Sequence, residues 1–190
     1  MKQTYSFVGM GSVVALMAFL FISPPASAQA PDAASVNLFT NGTFAKGTEG
    51  WVLSAHAKKG QMAVDATELH NGKPSLRIDN AEGDDTFVKQ KVTVKPNTRY
   101  RIAGYIKTKA VQTLKRDGKD GASLSVSGGF TKTPPVVKTK GWTRVAVDFV
   151  SGREPEIELG PRLGHYSALT LGTAWYSELT LTELGLNARR

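Results

Sequence analysis

A period-two alternation of apolar and polar residues over 88–108 constrains the fold of this chain more than any other stretch. Val88, Val92 and Val94 alternate with lysine and threonine, which places the valines on one side of a pleated strand. A Pro-Asn pair interrupts the pattern, and tyrosine and isoleucine then alternate with arginine and lysine. The stretch predicts two antiparallel strands joined by a tight turn, with one face buried and one solvated.

The same alternation recurs at 75–80, 142–150 and 173–184, and turn signals such as Asn-Gly and Gly-Gly separate the segments. No segment shows a sustained apolar period of about 3.6 residues. About nine short strands at regular spacing predict one all-β domain, an antiparallel β-sandwich over 36–186. We expect the tryptophans to lie in its core rather than on a ligand surface: Trp51, Trp142 and Trp175.

Residues 1–28 have the composition of a secretory signal peptide. A single lysine precedes an apolar run at 13–22, two prolines end the run, and Ala-Ser-Ala at 26–28 suits a cleavage site. A membrane anchor is the alternative, but the prolines cut the run short of the ~20 residues that a spanning helix needs. We therefore expect a secreted or periplasmic protein without a membrane span, with a linker at 29–35 and a basic tail at 187–190.

The composition of the chain limits the classes of partner that the mature domain can be expected to bind. The chain has no cysteine, so disulfides contribute nothing to its stability. The formal net charge is +8 at pH 7, which serves solubility or attracts an acidic polymer. Export and the lack of a nucleic-acid-binding motif argue against nucleic acid, leaving acidic polysaccharide or lipopolysaccharide as the expected anion.

Five segments in order resemble one family: NLFTNGTFAKGTEGW, GKPSLRIDN, VKQKVTVKPNTRYRIAGYIKT, KGWTRVAVDF and LGTAWYSELTLTE. Together they are similar to carbohydrate-binding modules with a galactose-binding-like jelly roll. The resemblance implies two packed antiparallel sheets, with sugar held on a concave sheet face or by loops at one edge. It implies a non-catalytic polysaccharide-binding module, which we expect to be a monomer.

The resemblance also bears on metal binding. Members of the family often hold a structural calcium with acidic residues just after the first Asn-Gly-x-Phe and just after the last aromatic pair. Ala45 and Ser177 occupy these positions here, and alternation is expected to point the neighbouring Glu178 to the opposite face. Calcium prefers six to eight oxygen ligands, usually including carboxylates, so we expect neither a metal nor another cofactor.

Sugar rings stack on aromatic side chains, and sugar hydroxyls need convergent donors and acceptors. The candidate carbohydrate-binding residues lie on solvated strand faces or in a glycine-flanked loop: Arg77, Asp79, Arg101, Tyr105, Glu158, Arg162, His165 and Tyr166. Gln90 is a further candidate, although it shares the face of Val88 and Val92. Either a bulge turns Gln90 towards a ligand, or its amide bonds to buried backbone.

Two other classes of protein remain open from sequence. Some jelly-roll polysaccharide lyases use Tyr, His, Gln and Arg on the concave face, but no lyase motif is present. Glu156 and Glu158 lie two apart on one strand face, about 7 Å by strand rise, within the range for paired-carboxylate hydrolysis; we interpret them as a solvated face. A protein-binding or envelope-scaffold sandwich is the other alternative.

Overall fold

Nine strands form two antiparallel sheets in the part of the chain that this computed structural model describes, residues 1, 36–114, 120–166 and 168–186. In chain order they are β1 Val52–Ala55, β2 Gln61–His70, β3 Lys73–Asp84, β4 Thr86–Thr93, β5 Thr98–Thr113, β6 Ala122–Val126, β7 Lys138–Val150, β8 Glu156–Leu163 and β9 Thr170–Leu186. These described ranges contain no helix, so the prediction of an all-β sandwich is confirmed.

All of these strands belong to one compact unit, Ala34–Arg190. The predicted signal peptide apart from Met1, the linker and the basic tail lie outside the described residues. Within the described ranges, no helix is both long and apolar enough to cross a membrane.

The four-stranded sheet has the order β1-β4-β8-β6 and the five-stranded sheet the order β2-β3-β9-β5-β7. Their inner faces share one hydrophobic core, to which Val88 and Leu159 contribute from the first sheet and Leu76 and Ile102 from the second. Period-two alternation sends the intervening residues to the two outer faces. The outer faces therefore carry the polar and aromatic side chains that are free to meet a ligand.

The predicted pairing of the two strands in 88–108 is wrong. Both strands and the turn exist, and Asn97 has the positive φ of +50° expected for a turn. However, β4 pairs with β1 and β8, whereas β5 pairs with β7 and β9. The turn carries the chain from one sheet to the other, because the apolar faces of the two strands meet across the core instead of side by side.

The tip of the β2–β3 hairpin lies over the outer face of the five-stranded sheet. The register of this hairpin shifts between Asp65 and His70. Beyond the shift, Glu68 accepts a hydrogen bond from Lys107 of β5 at 2.5 Å, and the ring of His70 lies 4.0 Å from that of Tyr105. The hairpin tip therefore forms a wall above the middle of this face.

A buried carboxylate fixes the connection between β1 and β2. Asp84 accepts hydrogen bonds from the backbone N–H groups of Ala57, Lys59, Gly60 and Asp85 at 2.7–2.8 Å. Burial opposes the ionisation of Asp84, but these four donors outweigh it and lower the pKa of the carboxyl. An ionised Asp84 therefore replaces regular pairing where the chain crosses between the sheets.

Candidate functional site

The outer face of the five-stranded sheet carries four ring side chains, named here the aromatic group: Tyr105, His70, Trp142 and Trp175. The His70 ring centroid lies 4.0 Å from that of Tyr105 and 5.1 Å from that of Trp142. These three side chains are partly exposed. Trp175 is more deeply buried and has the ammonium of Lys107 5.8 Å from its ring centre. The aromatic group therefore offers ring surface where the hairpin tip meets the sheet.

The expectation that the tryptophans lie in the core is confirmed for Trp51 only. Its ring packs on Phe39 in the core, with the centroids 5.1 Å apart. Trp175 pairs with Arg77 on β3 and Lys107 on β5, which places it on the outward side of β9. The sequence gives no signal for this, because strict alternation from the inward Leu179 and Leu181 puts Trp175 in the inward phase, and only the register shift of β9 against Ala103 and Tyr105 reverses it.

Carboxylates hold the aromatic group in place. The indole N–H of Trp175 donates to Asp65 Oδ2 at 3.0 Å, and the Thr67 hydroxyl donates to the other oxygen of Asp65 at 2.7 Å. The hydrogen bond from Thr67, followed by that from Trp175, holds the pKa of Asp65 well below its usual range. Asp65 is consequently ionised at any ordinary pH and accepts hydrogen bonds only.

A β-bulge turns Glu178 to the same outer face. Ala103 pairs with Thr180 while Tyr105 pairs with Ser177, so β9 contains one extra residue at this point. Glu178 has a φ of +51°, a left-handed conformation that occurs in one type of β-bulge. The expectation that Glu178 points to the opposite face from Ser177 is therefore wrong.

The carboxylate of Glu178 links the hairpin tip to the sheet. It accepts hydrogen bonds from Lys73 at 2.6 Å and from Asn71 at 2.8 Å, and Nδ1 of His70 lies 2.6 Å from its Oε2 atom. The Lys73 ammonium is the main cause of the lowered pKa of Glu178, against the opposing effect of burial. Because His70 contacts Tyr105, this network also orients the aromatic group.

Four of the residues predicted from the sequence share this face: Arg77, Asp79, Arg101 and Tyr105. Arg77 is next to Trp175 in register, and Asp79 is next to Thr173. Arg101 donates two hydrogen bonds to Asp148, at 2.6 and 2.9 Å. The structure thus brings Arg77 and Tyr105 to the aromatic group, while Arg101 is engaged by a carboxylate on the neighbouring strand.

Arg162, His165 and Tyr166 lie elsewhere, at the outer face of the four-stranded sheet. Arg162 is part of β8, so its predicted position in a loop is wrong. It forms a buried two-bond ion pair with Asp85, at 2.7 and 2.6 Å, and its guanidinium lies between the rings of Phe87 and Tyr166, 5.1 and 4.7 Å from their centres. Tyr166 is the most exposed of the three predicted residues.

His165 is 8% exposed. Burial, followed by the nearby charges of Lys132 and Arg162, lowers its pKa to about 4. Its ring is therefore neutral at neutral pH, and its Nε2 atom has no hydrogen-bond partner among the described residues. His165 packs against the ring of Tyr166, with the centroids 4.6 Å apart.

Gln90 and Glu158 lie apart from the aromatic group and from Arg162, His165 and Tyr166. Gln90 is buried, and its amide accepts from Thr40 N–H at 2.9 Å and donates to the carbonyls of Thr40 and Gly50; of the two sequence interpretations, bonding to buried backbone is the one observed. Glu158 accepts from Lys89 at 2.6 Å and lines a cavity of about 540 Å³ near the ends of β6, β7 and β8. The aromatic residue in the lining of that cavity, Phe149, is buried, whereas Tyr105 and Trp142 are partly exposed. Although the cavity is larger, the exposed rings therefore favour the aromatic group as the candidate site.

The residues at the expected calcium positions do not suit calcium. Ala45 has no side-chain oxygen, and Ser177 is buried with its hydroxyl 3.4 Å from the carbonyl of Pro74. No cluster of three or more acidic, histidine or cysteine side chains with metal-binding geometry occurs within the described ranges. We therefore assign no role to calcium at this end of the sandwich.

The chain belongs to the carbohydrate binding domain family CBM_4_9, whose model matches residues 36–158. The matched region contains the strands β1 to β7 and Tyr105 with its neighbours on β5. The family, the two-sheet architecture and the outward aromatic group define the chain as a carbohydrate-binding module.

The chain is also similar to parts of several known proteins. The chain is 24% identical over 160 residues to the tRNA(Glu)-specific nuclease WapA of Bacillus subtilis subsp. natto (strain BEST195), covering 78% of this chain and 7% of the nuclease. It is 25% identical over 127 residues to Exochitinase 1 of Streptomyces olivaceoviridis, covering 67% of this chain and 19% of the chitinase. It therefore spans less than a fifth of either relative. TmCBM61 in complex with beta-1,4-galactotriose has a similar fold, with 16% identity, a TM-score of 0.53, and coverage of 78% of this chain and 99% of the other.

Proposed function

We propose that this chain is an exported, non-catalytic module that binds a polysaccharide on the outer face of the five-stranded sheet. The observation that carries the proposal is the aromatic group itself. Tyr105 and Trp142 are outward-facing, partly exposed and held through His70. Rings on a solvated sheet face are otherwise unfavourable, and sugar C–H faces are natural partners for them.

The surrounding polar groups suit sugar hydroxyls. Asp65 and Glu178 are ionised acceptors whose positions are fixed by hydrogen bonds, while Lys107 and Arg77 flank Trp175 as donors. Because the rings and carboxylates are already fixed, binding would immobilise few side chains, which lowers the entropic cost of association.

Two chemical classes of glycan are suitable ligands for this face. A neutral β-linked glycan is supported by the fold shared with TmCBM61, whose structure contains beta-1,4-galactotriose, and by the chitinase relative. An acidic glycan is supported by the net charge of +8 and by Arg144, which is opposite Tyr105 in register. The two classes differ in salt dependence, since charge attraction is screened beyond a Debye length of about 10 Å at 0.1 M salt.

A non-catalytic role is supported by the carboxylates that hydrolysis would need. Glu158 pairs with Lys89 at 2.6 Å and Glu156 with Lys91 at 3.3 Å. Each carboxylate therefore already has a lysine ammonium of the neighbouring strand β4 as its partner. The pair therefore resembles a solvated strand face more than a hydrolytic centre.

A glycan array tests this proposal with wild-type protein, Tyr105→Ala and Tyr105→Phe, at low and moderate salt. We expect Tyr105→Ala to lose binding at both salt concentrations and Tyr105→Phe to retain most of it, because the phenylalanine keeps the ring. For an acidic glycan, Arg144→Ala should weaken binding mainly at low salt. Equal array profiles for folded Tyr105→Ala and wild-type protein would instead support a scaffold that binds protein.

The export part of the proposal has its own test. Expression of the whole chain in a bacterial host should give a protein outside the cytoplasm that begins at Gln29, as N-terminal sequencing would show. Recovery of the uncleaved chain from the membrane fraction would refute cleavage.

A further inference from the structure

We propose a second carbohydrate site, for a single neutral sugar residue, at the outer face of the four-stranded sheet. It consists of a recess beside Tyr166 together with the exposed ring of Phe130. The recess has a volume of about 200 Å³ and is lined by Ser54, His56, Asp85, Phe87, Arg162 and Tyr166. This site is on the opposite side of the sandwich from the aromatic group, so either site can exist without the other.

Phe130 presents its aromatic ring to solvent. Its side chain is 83% exposed, although phenylalanine is normally among the more buried residues. It is not isolated, because its ring lies 5.3 Å from that of Tyr166 and 6.1 Å from that of His165. The structure therefore holds an exposed aromatic ring beside a second ring, and the apolar C–H face of a sugar can stack on such a surface.

A hydrogen bond and a strained backbone conformation hold the rings of Phe130 and Tyr166 in place. The Tyr166 hydroxyl donates to the carbonyl of Gly129 at 2.7 Å, which ties the turn carrying Phe130 to the segment after β8. Tyr166 also has a φ of +43°, an unfavourable conformation for an aromatic residue. Backbone strain of this kind is typical of functional positions, and here it directs the Tyr166 ring over Arg162.

The recess beside Tyr166 is lined by hydrogen-bonding side chains. Arg162 uses Nε–H and one Nη2–H for its two hydrogen bonds to Asp85, which leaves the two Nη1 hydrogens and the second Nη2 hydrogen as donors for a ligand oxygen. The hydroxyl of Ser54 and the imidazole of His56 lie at the opposite margin and are exposed. Donors and acceptors thus surround a recess bordered by aromatic rings, the combination that a sugar residue requires.

Charge and size define the ligand further. The positive charge of Arg162 is compensated by Asp85, and both side chains are more than nine-tenths buried, so the recess offers hydrogen bonds without a net charge for an anion. Ordinary small-molecule pockets measure about 300–1,000 Å³, which exceeds the 200 Å³ found here. A single neutral sugar residue, such as the end of a glycan chain, suits these dimensions better than the interior of a polymer.

Titrations with free monosaccharides, followed by amide NMR, test the proposal on the mature domain. The probes are glucose, galactose, mannose, xylose and N-acetylglucosamine at millimolar concentrations. We expect at least one of them to shift the signals of His56, Phe130 and Tyr166 in wild-type protein and in Tyr105→Ala. Phe130→Ala should weaken this binding by about tenfold, which corresponds to about 1.4 kcal/mol.

Leu186→Ala is the matched control, because Leu186 is an apolar residue of similar exposure, 79%, at the end of β9; it should leave the affinity unchanged. The proposal is overturned if none of the five sugars shifts these signals, or if Phe130→Ala binds as tightly as wild-type protein. Binding to lipid vesicles that is lost in Phe130→Ala, without any sugar response, would also overturn it and assign the platform to a membrane surface.

Discussion

Replacing His165 should remove part of the pH dependence of stability. The pKa of this buried ring is about 4 in the folded chain, against the usual 6.5, because burial and the charges of Lys132 and Arg162 disfavour its protonation. As the pH falls below 6.5, protons bind the unfolded chain more readily than the folded one, so stability is lost towards pH 4. Above the ordinary pKa of 6.5, the His165 ring is neutral in both the folded and the unfolded chain, and its effect on stability no longer changes with pH.

The magnitude follows from the two pKa values. Each pH unit between them corresponds to about 1.4 kcal/mol, so the free energy of unfolding should fall by about 2 kcal/mol between about pH 7 and about pH 5 through His165 alone. For a domain of this size, that change lowers the melting temperature by about 4–8 °C. The carboxylates contribute equally to wild-type and variant protein and cancel in the comparison.

Urea unfolding followed by tryptophan fluorescence measures the effect in wild-type protein, His165→Gln and the exposed control His56→Gln. The pH profile of His165→Gln should be flatter by about 2 kcal/mol over this range, whereas that of His56→Gln should run parallel to the wild-type profile. Parallel profiles for His165→Gln and wild-type protein would refute the assignment of a buried, neutral His165.

Three further predictions concern the frame of the sandwich. Gly60→Ala should unfold at markedly lower urea, because its Cβ would collide with Thr86 Oγ1 and lie 2.8 Å from Asn80 Oδ1; an unchanged midpoint would contradict the close approach. Asp84→Asn should lower the free energy of unfolding by about 2–4 kcal/mol, since the neutral amide cannot accept four N–H donors as well as the carboxylate does. A loss below about 1 kcal/mol would show that the Asp84 carboxylate does not hold the connection between β1 and β2. Thermal melts in calcium and in chelator should nearly coincide, because Ala45 and Ser177 supply no carboxylate; a large drop in chelator would reveal a calcium site built from other oxygens.

The fold was predictable because alternation determines which side chains are buried. The valines of β4 and the isoleucines of β5 point inward as the sequence indicates. Alternation does not determine the partner of a strand, however, and the two strands of 88–108 face each other across the core instead of pairing. The same pattern serves both arrangements, so only the full set of strand contacts distinguishes them.

The candidate site was predictable only in part. Tyr105 stands out as an aromatic residue in a polar phase, whereas Trp175 resembles a core residue in composition although it faces outward. Glu178 was misplaced because one inserted residue reverses the alternation at that point. Phe130 lies in an irregular stretch between glycine and proline pairs, where no periodicity indicates that its ring is exposed.

Titration calorimetry of wild-type protein and Tyr105→Ala with the polysaccharide that gives the strongest array signal tests most directly whether the outer face of the five-stranded sheet binds sugar. Loss of the ring should weaken binding by about 1–3 kcal/mol, the range for burying a large apolar side chain, or about 5- to 150-fold in Kd. The loss should be the same at low and moderate salt, with an unchanged circular dichroism spectrum. Equal affinities for a folded Tyr105→Ala and wild-type protein would contradict the assignment of this face as the binding site.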